Sequence, residues 1–147
     1  MSPLYHYETE LEVIRIGEKF LDRTLPKAEW THGAHWAAAF WLILSRPDIK
    51  PERDMPDLIR RYNVATGGEN TDTDGYHETI TQASLIVARR FITEARDNPP
   101  MHVLCNRLFE SPFGRSGWLF AYWTKEHLFS VQARKAWVAP DIQPLTP

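Results

Sequence analysis

Residues 36–44 read WAAAFWLIL, an unbroken apolar run that neither an amphipathic surface helix nor a half-buried strand would carry. A bilayer-spanning helix needs about 20 such residues. The run is too short for that, so it belongs inside a globular core. Its flanks give its form. Pro26 suits a helix start, Thr31 is an alternative N-cap, and RPDIKP after Ser45 is a stop. The sequence therefore predicts a central helix that begins between 26 and 32, ends near Ser45 and is packed on several sides. A chain of 147 residues can build one such core without disulfides or a structural metal, so a single domain over 1–147 is expected.

Helical periodicity recurs around this element. Residues 8–23 place Leu11, Ile14, Phe20 and Leu21 on one side of an amphipathic helix. Segments 55–65, 75–96 and 101–111 read as three more helices, and 118–138 as one or two short ones around aromatic anchors. The polar loop TGGENTDTDG, 66–75, ends in Asp74, a residue suited to cap the helix that follows, and the NPP at 98–100 breaks that helix. Residues 1–7 are expected to form an N-terminal arm. The three prolines between 139 and 147 predict an extended surface tail. With no heptad, repeat or alternating strand pattern, the fold class is all-α, with five to seven helices.

The formal charge of −2 and the absence of a basic block argue against nucleic acid as a partner. One cysteine, Cys105, cannot form an internal disulfide, and its helical flanks HVLCNRLF suggest a packed thiol in a reducing compartment. The first residues, MSPLYHYETELEV, lack the basic and apolar regions of a signal peptide. A cytoplasmic, non-membrane protein is the expectation, with a homodimer left open. Six Trp, seven Phe and five Tyr are many for this length, and predict either an aromatic core or an aromatic-lined pocket.

The apolar helix starts with an anomaly, WTHGAHW. At about 100° per residue, His32 and His35 share a side with Trp36, Ala39, Phe40 and Ile43 rather than a solvated stripe. Glu29 joins them as E-x-x-H-x-x-H if the helix starts near 26. On the 75–96 helix, His77 and Thr81 sit within the side of Ile80, Ser84, Val87 and Phe91, and Glu78 lies at its edge. Two helix starts that present inward histidines could enclose one polar pocket. Imidazole and carboxylate are the donors that Zn²⁺ or Fe²⁺ accept, and three protein ligands leave positions open for water or substrate. The pattern is neither H-E-x-x-H nor the duplicated E-x-x-H of di-iron bundles, and hydrogen-bonded core histidines are the competing explanation.

Weaker signals accompany it. NTDTDG at 70–75 matches the first half of a calcium loop, but its twelfth position is Thr81 rather than Glu, so a capped turn is the better reading. His127, after the aromatic run Trp118–Trp123, is a further pocket candidate beside Tyr76 and Trp36. The strings LPKAEWTHGAH, RRYN with NTDTDGYHET, and EHLFSVQARKAWVAPD resemble those of a family of small bacterial hypothetical proteins. That resemblance brings no activity to carry over. Its pattern has Gly at position 74 and a bulkier residue at 33, which speaks against Asp74 as a required ligand.

The functional expectation is a metalloenzyme acting on a small molecule. His32, His35 and His77 would bind Zn²⁺ or Fe²⁺. Glu78 or Glu29 would be the general base or a fourth ligand, and Trp36, Tyr76, Thr81 and His127 would form the substrate pocket. Water activation or carbonyl polarisation, in a hydrolase or lyase, is the natural chemistry of such a site. The alternatives are a non-catalytic protein that binds a hydrophobic molecule or partner, and an iron-dependent oxidoreductase.

Overall fold

The apolar run occupies the middle of the protein. In the structure, a computed structural model that describes residues 5–145, it lies within α2 (His32–Ser45), of which Ala34, Ala37, Ala38, Phe40, Trp41 and Leu42 are buried. Packed against it are α1 (Glu10–Leu21), α3 (Pro51–Ala65), α4 (Glu78–Glu94) and α5 (Met101–Glu110). Two short helices, α6 (Lys125–Leu128) and α7 (Val131–Lys135), and 3-10 turns at Lys27–Glu29, Pro112–Gly114 and Trp118–Ala121 complete the chain. Among the described residues there is no strand, and no helix is long and apolar enough to cross a membrane. The fold is all-α. Residues 1–4 of the expected arm and 146–147 of the expected tail lie outside the described residues.

The start of α2 combines both sequence signals. Pro26 opens the 3-10 turn, and Thr31 then caps the α-helix, its Oγ1 accepting from the Ala34 N–H at 3.1 Å. On α1 the buried residues are Val13, Ile16, Gly17 and Phe20, with Ile14 and Leu21 at the edges. Leu11, expected inward, is 74% exposed. The 13, 16, 17, 20 spacing faces α2, and Leu11 falls outside that stripe. Gly17 lies so close to the Trp41 indole that a methyl group there would overlap the ring.

α3 begins at Pro51 rather than near 55, because proline suits the first turn, where its missing N–H would have no partner. Pro56, inside the helix, also lacks an N–H, which leaves the Glu52 carbonyl free. Gln82 Nε2 of α4 donates to that carbonyl at 3.1 Å, and Arg89 of α4 pairs with the Glu52 carboxylate. The loop before α4 is organised by Asn70, whose Oδ1 accepts from Asn63 Nδ2 and the Tyr76 N–H while its Nδ2 donates to the Arg60 carbonyl. Gly75 turns there with φ +83. Asp74 does not cap the helix; His77 does.

The C-terminal segment is stapled to α4 through Thr79. Its buried hydroxyl lies 2.7 and 2.9 Å from the Ala133 and Ala136 carbonyls and accepts from the Val138 N–H at 3.1 Å. Beyond it, Ile142 N–H donates to the Tyr122 carbonyl and Thr124 N–H to Asp141, so the described part of the tail is tied to 121–124.

Candidate functional site

Where α2, α3, α4 and the segment 116–119 meet, they leave a cavity of about 320 Å³. Its interior is apolar: Trp36 and Ala39 from α2, Met55 and Ile59 from α3, Ile80 and Leu85 from α4, then Trp118 and Leu119. The polar residues on its wall are His32, His35, Thr81, Ser84 and Ser116. His35 and Ser116 are exposed, which places them at the mouth, whereas Ala39, Met55, Leu85 and Leu119 are buried and form the floor.

The two histidines of WTHGAHW both reach this cavity. His35 Nδ1–H donates to the Thr31 carbonyl one turn back, at 2.7 Å, and Trp30 packs on the ring with centroids 3.9 Å apart. Among the described residues Nε2 has no hydrogen-bond partner, so it is the ring atom left for a ligand. His32 Nε2 lies 3.1 Å from the Phe113 carbonyl and 3.3 Å from the Trp36 indole nitrogen. One nitrogen cannot donate to the first and accept from the second. The shorter contact is to a group that can only accept, which favours Nε2–H as the donor. Tyr5 of the N-terminal arm packs on the other side of His32, in the space that Gly33 leaves open.

Burial among apolar groups disfavours the imidazolium, so desolvation lowers the pKa of both rings, offset in part by the bonds to the Phe113 and Thr31 carbonyls. Both rings are neutral at neutral pH. Thr81 and Ser84 donate their hydroxyl protons to the His77 and Ile80 carbonyls at 2.9 and 2.7 Å, which turns their remaining lone pairs outward from the helix.

The other sequence candidates lie elsewhere. His77 is the N-cap of α4: Nδ1 accepts from the Ile80 N–H at 3.2 Å and Nε2–H donates to the Leu128 carbonyl at 2.7 Å. Both ring nitrogens are engaged, and the residue does not line the cavity. Glu78 accepts from the Tyr76 hydroxyl and lies within reach of Gln82. Tyr76 is buried beneath Arg60, whose guanidinium is 4.6 Å from the ring centroid, and burial raises the pKa of its phenol. Glu29 is exposed in the 3-10 turn and pairs with Arg15 at 2.7 Å. His127 Nε2 lies 3.0 Å from the Ala139 carbonyl and ties α6 to the tail. Cys105 is buried, and burial pushes its thiol pKa up.

Of the expected site, then, His32, His35, Trp36 and Thr81 come together, whereas His77, Glu78, Glu29, Tyr76 and His127 are outside the cavity. Among the described residues no three His, Cys, Asp or Glu side chains are grouped to hold one metal ion. Met55, Ile59, Trp118 and Leu119 also line the cavity, and helical periodicity does not bring them to it. The 118–123 aromatic run was the one signal that pointed toward part of that wall. Comparison of the chain with protein-family models, curated proteins and solved structures finds no match.

Proposed function

We propose that the cavity between α2 and α4 binds a small, largely apolar molecule, and that the protein is a ligand-binding protein with a histidine-marked mouth. The observation that carries this reading is the combination of an apolar floor with a few convergent polar groups at one end, a pattern common in small-molecule sites. The size is suitable. A cavity of about 150 Å³ can hold benzene, so about 320 Å³ has room for a ring with a short substituent.

Ser84→Trp, which places an indole at the cavity wall, provides the test. Toluene and 4-ethylphenol should raise the melting temperature of the wild type and leave that of a folded Ser84→Trp variant unchanged. No rise in the wild type, or an equal rise in both, would contradict the proposal.

A second reading, metal-dependent catalysis at the same mouth, is favoured by one observation: two neutral imidazoles, one helical turn apart, face one cavity. Neutral imidazole is the form that binds Zn²⁺ or Fe²⁺ and the form that acts as a general base. His77 would have to give up two hydrogen bonds to join them. Stoichiometric zinc or iron in untagged protein, lost in His35→Ala and retained in His77→Asn, would favour that reading.

A further inference from the structure

We infer that the ligand of this cavity is a neutral aromatic molecule whose hydroxyl donates a hydrogen bond to His35, a phenol in its simplest form. This rests on the binding reading above and specifies its ligand class. The polar groups around the cavity are mainly acceptors. His35 commits Nδ1–H to the Thr31 carbonyl and keeps an unpartnered Nε2. The hydroxyl protons of Thr81 and Ser84 go to carbonyls of their own helix. His32 offers Nε2–H to Phe113, so the Trp36 indole N–H, aimed at that same nitrogen, finds no acceptor there and remains a donor beside these acceptors. Ser116, exposed at the mouth, is free to donate or accept. An acceptor-rich mouth is satisfied by a ligand that brings its own proton.

Charge narrows the class. Among the described residues no Lys, Arg, Asp or Glu lines the cavity, so a carboxylate or an ammonium would lose its hydration without gaining a counter-ion. The body of the ligand is specified by the walls. Trp36 and Trp118, with centroids 6.0 Å apart and planes at 41°, present aromatic surface, and Met55, Leu85 and Ala39 close the floor without a polar atom. A ring that lies against the Trp36 and Trp118 faces with its hydroxyl outward has His35, on the wall at the mouth, as the acceptor on its side of the cavity.

The test compares three probes of one shape by calorimetric titration at pH 7.5: 4-ethylphenol, 4-ethylanisole and 4-ethylbenzoate. The phenol should bind about tenfold more tightly than either other compound, the value of one neutral hydrogen bond. In His35→Phe, which keeps an aromatic ring against Trp30 and removes the acceptor, that advantage should disappear. Equal binding of the anisole, tighter binding of the benzoate, or an undiminished preference in a folded His35→Phe would each overturn the inference while leaving the cavity a binding site. If His35→Phe does not fold, the wild-type ranking alone decides. Failure of all three compounds to bind would overturn the binding reading, and this inference with it.

Discussion

The histidines show how far a residue type can be read without its partners. By periodicity His32, His35 and His77 all lie on the inward side of their helix starts, yet His35 is exposed at the mouth of the cavity, and His77 does not reach the cavity at all. His77 uses Nδ1 to cap α4 and Nε2–H to hold Leu128, a residue 51 positions away that sequence spacing cannot bring into view. All three rings have lowered pKa values, with desolvation as the largest cause in each. The sign follows. Above the ordinary histidine value of 6.5, folded and unfolded chains are both neutral and the histidines add no pH dependence. As the pH falls through that value, the unfolded chain takes up protons that the fold resists, so stability declines until the lowered folded values are reached. The urea midpoint should therefore fall between pH 7.5 and 5. His77→Ala, which loses a cap and strands the Leu128 carbonyl, should cost about 2–4 kcal/mol at pH 7.5 and make the decline shallower. A midpoint independent of pH, or a silent His77→Ala, would contradict this account.

At the scale of elements, local signals were legible where the sequence itself supplied the partner. WAAAFWLIL predicts the buried α2 because its apolar character extends around the whole helix, and Thr31 is a cap because its acceptor serves a residue three positions on. The face of α1 was legible only in part. Phe20 was placed correctly, but Leu11 is apolar and exposed, while Gly17, which has no hydrophobic side chain to signal burial, is at the contact. Gly17→Ala tests that contact. Alanine favours a helix over glycine by about 1 kcal/mol, yet overpacking against a buried ring costs about 1–3 kcal/mol. Thermal unfolding should show net destabilisation, and a raised melting temperature would mean that Trp41 yields freely. The candidate site was legible to the same extent. His32, His35 and Trp36 follow from periodicity on one helix, whereas Trp118 and Leu119 come from a 3-10 turn whose approach is set by tertiary packing.

At the scale of the whole molecule, α2 is surrounded by α1, α3, α4 and α5 but is not covered equally along its length. Where α2 meets α3, α4 and the 116–119 segment, the side chains that include Ala39, Met55, Ser84 and Leu85 do not fill the space, and the cavity results. The Thr79 staple and the Arg89–Glu52 pair hold α4 against its neighbours, so this space is part of the folded architecture rather than a gap between loosely held elements. Whether this space accepts a ligand is read by methyl-resolved NMR of the protein titrated with 4-ethylphenol. Saturable shifts are expected at Met55, Ile59, Ile80, Leu85 and Leu119, with Leu11 and Val64 on the exposed surface unmoved. Shifts centred elsewhere, or no saturable shift at any of these methyls, would contradict binding in this space.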